Sequence, residues 1–92
     1  MTDPRRNYAI AFDRRAAKEF AGLEKREARR VRDAIRALSE DPHPPGSIKL
    51  SGVDDLFRIR IGDYRVIYSV DDGILTVLVV RVAHRREVYR RR

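Results

Sequence analysis

The chain has 92 residues and no cysteine, which indicates a single domain over residues 1–92 with neither a disulfide framework nor a thiolate metal site. No apolar run approaches the roughly 20 residues of a membrane span, and no apolar signal segment follows the N-terminus, so we expect a cytoplasmic protein without membrane contact. The net charge of +7 favours an anionic partner such as nucleic acid, the ribosome or an acidic protein.

The N-terminal half predicts one strand followed by two helices. Residues 8–12 form a short apolar run typical of a strand, and Asp13 suits the N-cap of the next helix. Apolar residues then recur at helical spacing as far as Gly22, a plausible helix stop. A second helix is predicted over residues 25–39, and we expect the two helices to pair as an αα-hairpin.

After a stiff, proline-rich loop at residues 41–47, the pattern changes to strands. Strands are predicted over residues 56–61, 64–70 and 74–82, and Gly62-Asp63 suits a two-residue type II′ hairpin turn. The predicted order is β-α-α-β-β-β. It indicates an α+β domain with two N-terminal helices packed on an antiparallel β-sheet of about four strands.

The predicted hairpin places arginines on one face of the sheet. A two-residue turn fixes the register so that Arg60 lies opposite Arg65, and alternation adds Arg58 to the same face. Like charges directly opposite each other destabilise a sheet, whereas an anion lying across them would reverse the sign of the effect. Either the face binds an anion, or its arginines extend into solvent.

The C-terminal segment concentrates positive charge at the end of the last strand. From Arg81 to Arg92 there are six arginines and one acid, Glu87. Guanidinium groups suit phosphate and a phenol can stack on a base, so this segment favours RNA. The alternative is a solvated tail that aids solubility. The residues that leave the strand together are His84, Arg85, Arg86 and Tyr89.

If this segment folds back over the arginine face, several guanidinium groups and a phenol converge. Their field would lower the pKa of the Tyr89 phenol. Arginine stays protonated and is a poor base, so a general base would be Tyr89 or His84. Such a set suits cleavage of RNA by its own 2′-OH. His43 and His84 lack metal-ligand spacing, and there is no glycine-rich phosphate loop, so we expect no metal and no cofactor.

Three blocks of sequence resemble the RelE branch of the RelE/ParE toxin superfamily. They are Leu-Phe-Arg-Ile-Arg-Ile, Gly-Asp-Tyr-Arg-Val-Ile-Tyr and His-Arg-Arg-Glu-Val-Tyr-Arg, and the likeness spans residues 8–90. The resemblance implies a small α+β toxin of a type II toxin–antitoxin pair that cuts mRNA in the ribosomal A site. It implies three partners: a cognate antitoxin with an acidic segment, the ribosome and mRNA.

The resemblance also implies roles for individual residues. Arg85 matches an arginine that stabilises the cleaved phosphate or protonates the leaving group, and Tyr89 matches a tyrosine that orients the substrate. The predicted catalytic set is Arg60, Arg65, Arg85 and Tyr89, and the predicted RNA-binding set is Arg58, His84, Arg86 and Arg90.

Two departures from the family pattern concern the mechanism. Arg58 and Arg60 stand where the best-known members have lysines, which removes a group that loses its proton easily. The segment between Arg85 and Tyr89 is also shorter than in the best-known member. Both departures make His84 a stronger candidate for a general acid or base.

Two other functions share this fold. A ParE-like toxin would poison DNA gyrase through protein contacts. Binding to gyrase does not require converging cationic side chains, which counts against this alternative. A catalytically decayed toxin would use the basic face only to bind its antitoxin.

Overall fold

A computed structural model of the chain describes residues 7–50 and 55–86. The elements in chain order are β1 (Ala9–Phe12), α1 (Arg14–Ala21), α2 (Lys25–Ala37), β2 (Ile48–Lys49), β3 (Leu56–Ile61), β4 (Tyr64–Asp71) and β5 (Thr76–His84). The predicted α+β class, with two N-terminal helices packed on a sheet, is confirmed. Among the described residues, no helix is both long and apolar enough to cross a membrane.

Within the described residues, the sheet has five strands in the order β1-β5-β4-β3-β2. It differs from the predicted antiparallel sheet of about four strands in two ways. The two-residue β2 pairs antiparallel with β3, and β1 lies parallel to β5, with Ala9 opposite Thr76. The long connection from β1 through both helices and the meander allows this parallel pairing, which a tight turn could not.

The helices begin and end near the predicted residues. The Asp13 carboxylate accepts the N–H of Ala16 at 3.0 Å and caps α1, and Gly22 is its C-cap. In α2 the apolar stripe turns inward, with Val31 and Ile35 buried. Each helix therefore buries one side against the sheet.

The core lies between these helices and one face of the sheet, which receives Val66 and Tyr68 from β4 and Val77 and Val79 from β5. The Tyr68 hydroxyl donates to the carbonyl of Pro42 at 2.8 Å, which fixes the proline-rich loop against the core. Burial raises the pKa of the Tyr68 phenol. Because both helices cover the same face, the opposite face of the sheet is left for other contacts.

Strand β5 extends beyond β1, and a side chain from α1 closes the edge that this leaves open. The Glu19 carboxylate accepts the backbone N–H of Val82 at 2.7 Å. The same carboxylate binds Arg81, whose Nε and Nη2 both lie 2.9 Å from Oε2. We call this arrangement of Glu19, Arg81 and Val82 the edge latch. It holds the end of the strand that leads into Arg85.

Candidate functional site

The hairpin of β3 and β4 has the predicted register, with Arg60 directly opposite Arg65. Gly62 has a φ of +61°, whereas Asp63 is not among the residues of positive φ, as a type II′ turn requires. Strand alternation turns Ile59 towards the helices and leaves Arg60 and Arg65 on the opposite face. The predicted pair of opposed guanidinium groups is therefore present.

A pocket of about 260 Å³ lies at the turn end of this hairpin. Its walls contain three of the four arginines and tyrosines predicted to be catalytic, and the lining residues are Arg60, Gly62, Asp63, Tyr64, Arg65 and Arg85. This volume is well above what a single water molecule needs. The pocket thus has room for a phosphate and atoms on either side of it.

Arg85 reaches the pocket because its backbone is tied to the hairpin turn. Its N–H donates to the carbonyl of Asp63 at 2.7 Å, just beyond the end of β5. Residues that follow a strand are free to leave in many directions, and this hydrogen bond selects one of them. Arg85 therefore joins Arg60 and Arg65 at the pocket.

Arg65 is the one charged side chain classed as buried in the described part of the chain, at 7% exposed. It lies on β4 between Arg60 of β3 and Ala83 of β5, and Ala83 is itself 1% exposed. Arginine keeps its proton in such surroundings, so burial fixes the position of the charge without removing it. Arg65 consequently supplies a fixed positive charge at the wall of the pocket.

The predicted RNA-binding residues are more scattered. Arg58 is half-buried on the same face as Arg60 but does not line the pocket, and Arg86 is exposed outside it. His84 packs its ring against Tyr64 rather than entering the pocket. Tyr89 and Arg90 lie outside the described residues, so their roles stay predictions.

Tyr64 is a pocket residue that the sequence prediction left out of the site. It follows the turn directly and pairs with Ile61 on one side and His84 on the other. Its ring meets the His84 ring edge-on, with centroids 5.2 Å apart and planes at 84°. Its position beside Gly62-Asp63 was the available signal, since residues flanking a turn line the end of a hairpin.

On the helix side of the turn, α2 contributes an arginine that was also not predicted. A Cβ added to Gly62 would lie 3.1 Å from Nη1 and 3.2 Å from Nη2 of Arg30. The guanidinium of Arg30 therefore lies close to the glycine backbone and supports the turn from behind. Glycine at position 62 therefore permits both the positive φ and the close approach of Arg30.

Within residues 7–50 and 55–86, no three His, Cys, Asp or Glu side chains come together as metal ligands would. Three arginines and one acidic residue, Asp63, line the pocket, so its net charge is positive, and guanidinium groups are donors and not metal ligands. What this arrangement can do chemically is bind an anion and stabilise negative charge that develops on it.

Comparison with known proteins places the chain among bacterial and archaeal toxins. Residues 10–89 match the family described as ParE toxin of type II toxin–antitoxin system, parDE. Toxin RelE of Mycobacterium tuberculosis is 34% identical over 84 residues, which cover 90% of this chain and 87% of that protein. The mRNA interferase toxin RelE of Escherichia coli K12 is 31% identical over 86 residues, covering 89% and 90%. The archaeal RelE–RelB complex from Pyrococcus horikoshii matches with a TM-score of 0.76 and 32% identity over 86% of this chain and 96% of that one.

Proposed function

Because the chain belongs to the RelE/ParE family of type II toxins, we propose that it is a ribosome-dependent endoribonuclease that cuts mRNA in the ribosomal A site. The observation that carries the proposal is the pocket lined by Arg60, Arg65 and Arg85. Relatives named mRNA interferase, at 31% identity, support the same reaction.

Three guanidinium groups around one small pocket suit a phosphodiester. Their planar donors match phosphate oxygens and attract the RNA backbone to the pocket. The same donors stabilise the additional negative charge of a pentacovalent phosphorus transition state, which is where electrostatic catalysis acts. The repulsion between Arg60 and Arg65 is relieved when the anion is bound, so the site favours the bound state over the empty one.

The proposed reaction needs no group from outside the RNA and the protein. The 2′ oxygen of a ribose attacks the adjacent phosphorus, and the bond from phosphorus to the 5′ oxygen of the next nucleotide breaks. The products are a 2′,3′-cyclic phosphate and a 5′-hydroxyl end. The proton of the 2′-OH passes to a base, and the departing 5′ oxygen takes one up.

The roles divide according to exposure and position. Arg65, which is buried, holds the phosphate in a fixed place. Arg60 and Arg85 stabilise the negative charge that develops on the phosphate as bonds form and break. Tyr89 serves as the base or orients the substrate, as the resemblance implies. Arg58, Arg86 and Arg90 contact the RNA backbone around the site and set the dependence of binding on salt.

We further propose that a cognate antitoxin with an acidic segment binds this chain and blocks the site. RelE relatives have been crystallised with their RelB antitoxins, which supports such a partner. The net charge of +7 favours an acidic segment. A target on translating ribosomes also places the protein in the cytoplasm.

The test is a cleavage assay with purified protein, translating ribosomes and a defined mRNA whose breaks are mapped. We expect cuts at the A-site codon that disappear when ribosomes are omitted. Arg85→Ala should lower the single-turnover rate about 10²–10³-fold, the effect of losing one donor to a developing oxyanion. Arg14→Ala, which removes an equal charge from an exposed position on α1, is the matched control and should cut normally.

The alternatives give different results in the same experiment. Cuts in free mRNA would contradict the dependence on ribosomes. No cuts by the wild-type protein, together with inhibition of DNA supercoiling, would identify a ParE-like gyrase poison. No effect in either assay, with tight binding of the antitoxin, would identify a decayed toxin.

A further inference from the structure

His84, the last residue of β5, does not line the pocket but makes two specific contacts beside it. Its Nδ1 accepts the backbone N–H of Arg86 at 3.1 Å. The edge of its ring meets Tyr64, which lines the pocket, with the two centroids 5.2 Å apart. Arg85 stands between the residue that accepts this hydrogen bond and the residue that donates it.

We propose that His84 is a positioning residue, whose Nδ1 caps the turn that carries Arg85 into the pocket. The inference rests on the proposed function for its effect on cleavage, but the hydrogen bond can be measured independently. It differs from the prediction that His84 contacts RNA or transfers a proton.

The geometry is that of a helix N-cap. An N-cap side chain accepts the N–H of the second or third residue that follows it, and Arg86 is the second residue after His84. Arg85 and Arg86 have helical backbone conformation, while His84 still belongs to β5. Asn, Asp, Ser and Thr are the usual caps because they place an acceptor close to the backbone. The Nδ1 of a histidine is separated from Cα by the same number of bonds as the Oδ1 of an asparagine.

This hydrogen bond indicates which ring nitrogen of His84 is the acceptor and which carries the proton. Nδ1 acts as an acceptor and carries no proton, so the neutral ring carries its proton on Nε2. The edge-on contact with Tyr64 restricts rotation of the ring about its bond to Cβ. Nδ1 is therefore engaged by Arg86 and is not directed at a substrate.

Two anchors then determine where the Arg85 side chain points. The N–H of Arg85 binds the carbonyl of Asp63 at 2.7 Å, and the next N–H along the chain binds His84. Removing the second anchor lets the turn open from its C-terminal side, which moves Arg85 relative to Arg60 and Arg65. Because displacements of about 1 Å can lower rates a hundredfold, a weakened cap should reduce cleavage more than binding.

Substituting His84 with asparagine and with glutamine distinguishes the role of Nδ1 from that of Nε2. His84→Asn keeps an acceptor at the position of Nδ1, whereas His84→Gln places its amide at the position of Nε2. We expect His84→Asn to cleave within about threefold of wild type and His84→Gln to fall about fivefold to thirtyfold, the range that loss of an N-cap predicts. Binding to ribosomes should be the same for both variants, so the loss appears in kcat and not in KM.

Amide hydrogen exchange gives a readout that does not depend on activity. The Arg86 N–H should exchange slowly in the wild type and in His84→Asn and quickly in His84→Gln, with thermal unfolding showing that all three are folded. Equal exchange in the three proteins would overturn the proposal, as would full cleavage by His84→Gln or equal impairment of both variants. If the wild type cuts no mRNA while the exchange pattern holds, the proposed function fails and the cap stands.

Discussion

Replacing Glu19 with alanine should destabilise the protein by more than a typical change of an exposed side chain. Glu19 forms the edge latch between α1 and β5, and its side chain is 20% exposed. Its carboxylate receives the N–H of Val82, a residue that is 2% exposed, as well as the guanidinium of Arg81. The substitution leaves both donors without this acceptor.

The magnitude follows from these two losses. A buried N–H that loses its partner costs about 1–3 kcal/mol. The Arg81 pair, at 26% and 20% exposed, is partly screened by solvent and adds roughly 1 kcal/mol. The free energy of unfolding should therefore fall by about 2–4 kcal/mol. For a domain of this size each kcal/mol corresponds to ~4–8 °C, so Tm should fall by about 8–32 °C.

The assay is urea unfolding followed by circular dichroism, with two comparison variants. Arg15→Ala removes a side chain that is 67% exposed and lies 3.5 Å from the same carboxylate, so it should change stability by less than about 0.5 kcal/mol. Glu19→Gln keeps an acceptor for Val82 but loses the charge, and it should lie between wild type and Glu19→Ala. A Glu19→Ala variant within about 0.5 kcal/mol of wild type would refute the argument that the latch secures β5.

Three further outcomes are expected. Gly62→Ala should lower the free energy of unfolding by about 1–3 kcal/mol, since φ is +61° there. Adding Arg30→Ala should restore the part due to contact, and a double variant no more stable than Gly62→Ala would show that the contact is unimportant. Tyr68→Phe should be less stable than wild type at neutral pH by ~1 kcal/mol, because a buried hydrogen bond is lost. Burial raises the pKa of Tyr68 in the folded state, so the unfolded phenol ionises first, at about pH 10, and the wild-type advantage should shrink above that pH in urea titrations. A constant advantage would contradict this linkage. Arg60→Thr should raise stability by roughly 0.2–1 kcal/mol by removing the repulsion from Arg65, while it lowers cleavage. The gain should diminish at high salt, and a gain independent of salt would mean that charge is not its cause.

The parts of the fold that could be predicted from the sequence depend on local chemistry. The Asp13 cap and the Gly62-Asp63 turn are encoded by neighbouring residues, and a two-residue turn leaves one register for its hairpin. That register alone places Arg60 opposite Arg65. The convergence of Arg85 on the same pocket could be predicted only on the condition that the segment after β5 turns towards the arginine face.

The parts that could not be predicted depend on contacts between distant segments. The four residues of β1 contain no pattern that predicts parallel pairing with β5. Strand β2 is too short to show alternation of apolar and polar residues. In the sequence, Glu19 cannot be distinguished from an ordinary carboxylate on a helix, because its partners on β5 are distant along the chain. The burial of Arg65 is equally invisible, since strand alternation predicts its face but not what covers that face.

The position of β5 in the sheet has a consequence for how the protein comes to be active during its synthesis. β5 lies between β1 and β4, so two strands that are far apart along the described part of the chain, β1 and β5, are neighbours in the sheet. A nascent chain can form its helical hairpin early, but its first strand stays without a partner until β5 emerges. Arg85, which completes the pocket, emerges after β5. Such non-local pairing is slow to form, and the pocket is therefore complete only after β5 has paired with β1 and β4.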